Sequence, residues 1–301
     1  MCGFVVLWNV GDEALAARMV EKISHRGPDA TEVTRLPGAP IVMAHCRLSI
    51  IGPEDGKQPI YQGRDILVAN GEIYNHADLR AILGEASFET ASDSEAILHL
   101  FRSGALRWID RLDGMFAFVL ATKERVLAAR DPLGIKPLYV ARVGGGLAFA
   151  SELKAFDGMG LTEIEAIPPG ALVDSRDGER QWYRLSHGAA EPEPGLDVTR
   201  TARELRLVME EAVAKWMVAD VEVGAFLSGG LDSSIIAAIA AQQRREAGKP
   251  PLKTFSVGTE GAPDLRAARR VAAHIGSDHY ERVFTADDLA ANLSHVVYHL
   301  E

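Results

Sequence analysis

The sequence predicts two architectures in series. The first is a layered α+β domain, with sheets packed on each other and helices outside. The second is part of an α/β unit with a parallel sheet. Three observations carry this prediction. The first half is rich in short apolar runs bounded by turn residues, and helical periodicity is sparse there. After residue 200, strand-like and helix-like segments alternate. Between the halves, Gly188-Ala-Ala-Glu-Pro-Glu-Pro-Gly195 has Pro, Gly and acid but no apolar periodicity, and so reads as a linker.

Taken in order, the strand-like runs of the first half are Gly3 to Trp8, Ile41 to His45, Ile66 to Ala69, Met115 to Ala121, Arg125 to Arg130 and Leu147 to Ala150. Leu15, Met19, Val20 and Ile23 fall at helical spacing within Asp12 to Ser24, with Asp12 as N-cap, and Ser94 to Arg102 reads as a second helix. In the second half, the helix Thr201 to Ala219 leads into strand Val221 to Leu227 and helix Asp232 to Glu246. Strand Leu252 to Val257, helix Asp264 to Ile275, strand His279 to Val283 and a helix from about Ala286 follow. Such alternation implies βαβ units.

The 301-residue length favours two domains, and 47% hydrophobic with 25% charged residues is the balance of a globular protein. A net charge of -10 argues against a nucleic-acid partner. No run approaches the ~20 apolar residues of a membrane span, and no secretory signal opens the chain. Cys2 and Cys46 are the only cysteines, too few for a disulfide framework, so the expected compartment is a reducing cytoplasm.

Cys2 follows the initiator Met1 directly. Removal of Met1 would place a thiol and a free α-amine on one residue. That amine, with a reference pKa of about 7.7–8.0, can serve as base for its own nucleophile. A cysteine at position 2 is also compatible with a small buried hydrophobe. Cys46 reads as a core cysteine. His45 reads as packed rather than ligating, since no partner stands at metal-ligand spacing. His25-Arg-Gly-Pro-Asp29 reads as a polar loop with no catalytic role assigned.

Ser228-Gly-Gly-Leu-Asp-Ser-Ser234 lies between an expected strand and an expected helix. The glycines let the backbone turn tightly and approach an anion, and the helix start offers free N–H groups. Asp232 suits Mg²⁺, which takes one or two carboxylates plus phosphate oxygens. The loop lacks the Gly-Lys-Ser/Thr of a Walker A motif and the Gly-x-Gly-x-x-Gly of a dinucleotide fingerprint. It matches the pyrophosphatase-type loop of enzymes that split ATP into AMP and pyrophosphate.

With these motifs the chain resembles glutamine-dependent asparagine synthetase of the bacterial B type, over essentially all 301 residues. The resemblance is carried by Met1-Cys2-Gly3, His25 to Asp29, Arg47-Leu-Ser-Ile50, Asn70-Gly-Glu-Ile-Tyr-Asn75, Asp93-Ser94-Glu95, Asp113 to Phe118, Arg130 to Pro137, Ser151-Glu152 and Ser228 to Ser234. It implies an N-terminal-nucleophile glutaminase domain, a four-layer αββα sandwich, over 1–190. A linker over 191–200 and the N-terminal part of an ATP-binding synthetase domain over 201–301 follow.

The resemblance also implies roles. Cys2 would attack the glutamine amide, and Asn70 and Gly71 would form the oxyanion hole. Arg47 would pair with the glutamine α-carboxylate, while Glu72 and Asp93 would hold its α-ammonium. For Arg47 and Asp93, structural ion pairs are the competing reading. Ser228, Gly230, Asp232 and Ser233 would bind ATP phosphates and Mg²⁺, with Leu227 and Val257 beside adenine and ribose. Pro263-Asp264-Leu265 matches a family segment near the nucleotide. The implied substrates are glutamine, aspartate and ATP. A homodimer is the candidate assembly, with no nucleic acid and no membrane as partner.

The resemblance has a limit. A second ATP-site motif, Ser-Gly-Glu-Gly-x-Asp-Glu, is not found in the 301 residues. The expectation is therefore a truncation, an incomplete reading frame or the ordered part of a longer product, with glutaminase chemistry but no asparagine synthesis. Amidotransferases making a phosphoribosylamine or glucosamine phosphate lack the Ser228–Ser234 loop. A glutamine-using relative with another carboxylate acceptor stays open, as does a non-catalytic module that keeps the fold.

Overall fold

A computed structural model describes residues 2–185, 195 and 197–301. The chain divides into two compact units, Met1–His187 and Gly188–Glu301. Most of the linker-like stretch (188–194) lies outside the described residues.

In the first unit the elements run β1 (Gly3–Trp8), α1 (Glu13–Glu21), β2 (Ala30–Arg35), β3 (Ile41–Arg47), β4 (Ile60–Gln62) and β5 (Asp65–Ile73). Next come α2 (His76–Leu83), α3 (Glu95–Arg102), β6 (Gly114–Ala121), β7 (Val126–Arg130), β8 (Tyr139–Val143) and β9 (Gly146–Ala150). The last three are β10 (Ile164–Ala166), β11 (Ala171–Asp174) and β12 (Gly178–Gln181). They form two six-stranded sheets, ordered β10-β8-β9-β1-β3-β2 and β12-β11-β7-β6-β5-β4, with antiparallel pairing throughout.

Side-chain alternation explains the layers. Along β1, Phe4 and Val6 enter the core between the sheets, together with Ile41 and Met43 of β3 and Ile66, Val68, Ala117 and Val119 of the facing sheet. The alternate residues Val5 and Leu7, with Val42, Ala44 and Cys46, pack on Ala16, Met19 and Val20 of α1. On the far side, Leu67, Ala69, Phe116, Phe118 and Leu120 pack on Leu79 of α2 and on Ala96, Ile97 and Leu100 of α3. The result is helix, sheet, sheet, helix. Both faces of each central strand are apolar, because a period of two sends successive side chains into two different cores. Asp12 caps α1 by accepting the Leu15 N–H at 2.8 Å.

The second unit holds α4 (Val198–Trp216), β13 (Gly224–Phe226), α5 (Leu231–Glu246), β14 (Lys253–Gly258), α6 (Pro263–Ile275), β15 (Asp278–Val283) and α7 (Ala286–Leu300). Its sheet is parallel, ordered β13-β14-β15. Leu227, Ala237, Ala240, Leu252, Ala268 and Ala272 form the core between the sheet and α5 and α6, with Val213 of α4 added. The other sheet face carries the exposed Phe226, Phe255, Val257 and Tyr280, of which Phe255 and Tyr280 stack. Among the described residues, no helix is long and apolar enough to cross a membrane.

Candidate active site

Cys2 directly precedes β1, the strand held between β9 and β3. Its thiol is half-buried and lies against Leu48, donating to the Leu48 carbonyl at 3.4 Å and accepting its N–H at 3.3 Å. Burial pushes the thiol pKa up, against the pull of the Leu48 N–H. At rest the thiol is therefore protonated, and attack requires a base.

β5 faces β1 across the sandwich and carries Asn70, Gly71 and Glu72. The Asn70 side chain is buried, and its amide is assigned from its neighbours: with the nitrogen toward the Cys2 carbonyl and the oxygen toward Arg26 Nη2, each 3.0 Å away, both hydrogen bonds are satisfied, and in the opposite sense neither is. Gly71 is demanded sterically: a Cβ there would stand 2.1 Å from the Met115 carbonyl oxygen and 2.6 Å from Phe116 Cα. Only glycine lets β5 lie this close to β6.

Arg47 ends β3, where Nη1 donates to the Pro53 carbonyl at 3.0 Å and Nη2 to the Gly52 carbonyl at 2.5 Å. The loop thus orients the guanidinium and leaves further donors for a carboxylate. The segment 25–29 holds this backbone in place. The Asp29 N–H donates to the Arg47 carbonyl at 3.0 Å, and its carboxylate accepts the Ser49 N–H at 2.8 Å. Gly27 lies flat on the same peptide, where a Cβ would meet Cys46 C at 2.4 Å.

The half-buried Glu72 and the buried Asp93 form an acid pair. Burial, then the Asp93 charge, push Glu72 up to about 8, with Lys136 pulling the other way. Asp93 is raised by burial, although its Oδ2 accepts the Ile73 N–H at 2.6 Å. Two neighbouring carboxylates in a desolvated site resist full ionisation unless a cation joins them. The structure thus groups Cys2 with Arg47, Asn70, Gly71 and Glu72, and Glu72 with Asp93. The thiol feels both Glu72 and Arg47.

Three further charged residues stand at this place, and their sequence motifs alone assign them no role. Arg26 corrects the view of 25–29 as a polar loop. Ser24–Arg26 is a turn of 3-10 helix, and the Arg26 side chain is buried, donating from Nε to the Cys2 carbonyl at 2.8 Å. Glu152 accepts from Arg26 Nη1 at 2.5 Å and from Lys154 Nζ at 2.6 Å. Lys136 is buried near Glu72, its backbone fixed by the Asp131 carboxylate, which accepts the N–H groups of Leu133, Ile135 and Lys136. The available signal was charge inside glycine- and proline-bounded motifs, which does not by itself distinguish a surface loop from a buried clamp. Cys46 is buried, with its thiol pushed up to about 11 by desolvation, and buried His45 is pushed down to about 4 by the same cause. Both match the packed reading.

In the second unit, Ser228–Ser234 runs from the end of β13 into α5. Gly229 has φ +78°, and a Cβ there would meet Ala268 N at 2.5 Å. Ser228 Oγ lies 2.9 Å from Ser233 Oγ, and Ser234 Oγ donates to the Gly230 carbonyl at 2.6 Å. Asp232 stands exposed in the first turn of α5. Leu227, Ser228 and Val257 line a cleft with Phe226, Phe255, Ser256, Asp264 and Leu265. Its volume of about 140 Å³ is below that of a pocket enclosing a whole ligand. Among the described residues, no group of three or more His, Cys, Asp or Glu is placed to hold a metal.

A two-sheet sandwich with a thiol at the head of its central strand, both an arginine and a carboxylate in electrostatic reach of it and a buried side-chain amide beside it defines a class, the amide-nitrogen-transferring enzymes. The family model described as a glutamine amidotransferase domain matches residues 1–172, and the chain belongs to that family. Residues 204–301 match the model described as asparagine synthase. The chain is similar to asparagine synthetase [glutamine-hydrolyzing] 2 of Oryza sativa subsp. japonica, 39% identical over 317 residues, covering 100% of this chain and 53% of the rice protein. It is also similar to asparagine synthetase B [glutamine-hydrolyzing] of Escherichia coli (strain K12), 38% identical over 327 residues, covering 100% of this chain and 57% of that one. The chain spans about half the length of these curated relatives. Among solved structures, glutamine phosphoribosylpyrophosphate amidotransferase from B. subtilis, complexed with ADP and GMP, matches with a TM-score of 0.57 at 16% identity, covering 97% of this chain and 92% of that chain. The allosteric regulatory enzyme of purine biosynthesis matches with a TM-score of 0.55 at 18% identity, covering 94% of this chain and 80% of that chain. At these identities the two structures speak for the fold alone.

Proposed function

We propose that this chain hydrolyses glutamine at Cys2, as the glutaminase half of a glutamine-dependent asparagine synthetase. The single observation carrying this reading is the placement of Glu72 and Arg47 within electrostatic reach of the Cys2 thiol, with the buried Asp93 acting on Glu72. An α-amino acid presents one ammonium and one carboxylate, which this arrangement complements. Its side-chain amide then reaches the thiol.

In the proposed mechanism, removal of Met1 frees the Cys2 amine. That amine, directly or through water, takes the thiol proton as sulfur attacks the glutamine amide carbon. The C=O π pair moves onto oxygen, where the Asn70 side-chain N–H and the Gly71 N–H stabilise it. One such donor is typically worth about 3 kcal/mol. The Cys2 ammonium then returns that proton to the amide nitrogen, the oxygen pair re-forms the carbonyl, the C–N bond breaks, and the nitrogen leaves as ammonia. Water then cleaves the γ-glutamyl thioester to glutamate and free thiol.

For the second unit we propose an ATP site in which Ser228, Gly230 and Ser233 meet the phosphates, with Leu227 and Val257 beside adenine and ribose. Asp232 supplies one exposed carboxylate at a helix start, a donor set that fits Mg²⁺ shared with phosphate oxygens. In the whole enzyme, activation of the aspartate β-carboxylate by ATP would give ammonia its acceptor; a glutamine-dependent relative with another carboxylate acceptor is the second reading. The proposed layout is glutaminase over 1–190, linker over 191–200 and the N-terminal part of the synthetase domain over 201–301. The proposed setting is the cytoplasm, with a homodimer as assembly.

The test is glutamate release from glutamine by the 301-residue chain, alongside labelling of Cys2 by a glutamine-analogue electrophile. Hydrolysis with stoichiometric Cys2 labelling is expected. No labelling in protein shown by intact mass to lack Met1 would favour the non-catalytic module. Asparagine formed from aspartate, ATP and glutamine by these residues alone would overturn the division of labour.

A further inference from the structure

We infer that Glu152 is a positioning residue that sets the orientation of the Asn70 side-chain amide through Arg26. This rests on the reading of Asn70 as an oxyanion donor.

A side-chain amide has two ends of nearly equal shape, one donating and one accepting. With the nitrogen toward the reacting carbonyl, Asn70 stabilises the oxyanion. Reversed, it aims a second oxygen at the developing negative charge. Steric fit does not choose between these states; the neighbours do. The Cys2 carbonyl can only accept, so it takes the amide nitrogen, at 3.0 Å. Arg26 can only donate, so it takes the amide oxygen, at 3.0 Å from Nη2. Reversing the amide would break both contacts and face like poles at each.

Arg26 performs this task only while its guanidinium stays in place. Its fork spans three partners: Nε donates to the Cys2 carbonyl at 2.8 Å, Nη2 to Asn70, and Nη1 to Glu152 Oε1 at 2.5 Å. Only the last partner is an anion. The Arg26 and Glu152 side chains are each under one-tenth exposed, so water does not substitute for the lost counter-charge. Glu152 is itself held by Lys154 Nζ at 2.6 Å and faces His25 Nε2 at 3.2 Å. Burial raises its pKa, and the bonds from Lys154 and Arg26 more than reverse this, so the carboxylate stays ionised. The order of dependence is Glu152, Arg26, Asn70, oxyanion.

The test is a double-mutant cycle on glutamine hydrolysis by the 301-residue chain, using Glu152→Gln, Asn70→Ala and the pair. Glu152→Gln keeps the shape and removes the charge. Its kcat is expected to fall about 10- to 100-fold, within the cost of one oxyanion donor, with KM changed less than about threefold, since the contact matters in the transition state. In the Asn70→Ala background the same substitution is expected to change kcat less than about twofold. Glu152→Gln activity equal to the parent, or an undiminished loss in the Asn70→Ala background, would overturn the inference. Thermal melting reports on folding. Should Glu152→Gln melt below the assay temperature, Glu152→Ala, which also removes the charge, carries the same cycle with the same criteria. A parent chain without hydrolysis or Cys2 labelling would count against the glutaminase reading, a separate result.

Discussion

Three single residues carry the most direct consequences. Cys2→Ser is expected to lower glutamate release at least about 1000-fold, as for other nucleophile removals; full activity in this variant would exclude Cys2 as nucleophile. Glu72, raised to about 8, is largely protonated in the free protein at neutral pH. An incoming ammonium favours the ionised pair, so glutamine binding should expel a proton. Titration calorimetry of the Cys2→Ser chain at pH 7 in buffers of different ionisation enthalpy measures this, and affinity should climb as pH rises toward 8. The same group affects stability in the opposite direction. Its folded pKa lies above the ordinary carboxylate value, so its contribution is fully present below about 4.5 and lost as pH rises through about 8. Glu72→Gln should therefore raise the melting temperature of the ligand-free chain at pH 8, by roughly 3–8 °C, and by less at pH 5. Equal shifts at both pH values would contradict the acid-pair account. Cys2, Arg47, Asn70, Gly71, Glu72 and Asp93 could be named as candidates from the sequence because their motifs came in the order that the family resemblance rests on. Arg26, Lys136 and Glu152 could not, because the burial of a charged side chain depends on partners up to 126 residues away.

At the scale of elements, β1 was read to the residue and the neighbouring core strands nearly so, since double-sided burial makes them continuous apolar runs. The strands that escaped notice are mostly peripheral, although β8 (YVARV) and the buried β11 (ALVD) are interior strands that were also missed, each short and ending in or holding a charged residue. β2 (ATEVTR), β10 (IEA) and β12 (GERQ) are polar, short or at sheet edges, and they owe their conformation to a neighbour rather than to their own pattern. α2 escaped for a related reason: only Leu79 and Arg80 of its eight residues are buried. β13 is shorter than expected, Gly224–Phe226 within Val221 to Leu227. The junction of β5 and β6 offers a sharp test. Gly71→Ala sets a methyl against backbone atoms of β6, which side-chain rotation cannot relieve. It should cost more than about 3 kcal/mol, read by denaturant melting, and abolish hydrolysis. Gly229→Ala, also crowded against backbone atoms of α6, should destabilise the second unit and leave glutamine hydrolysis unchanged.

At the scale of the molecule, the three cores of the sandwich draw only on residues of the first unit, and the fourth only on the second. Residues 1–187 produced alone are therefore expected to hydrolyse glutamine with kcat within about threefold of the 301-residue chain; loss of activity in a folded 1–187 fragment would show dependence on the second unit. The thiol at the head of β1 has a practical consequence. Cys2 is half-buried and bound to Leu48, whereas Cys46 is fully enclosed with its thiol pushed up to about 11. An alkylating glutamine mimic would mark only molecules whose innermost strand is in register. Counting labelled chains by mass after heating would then give a dye-free census of intact sandwiches, one molecule at a time.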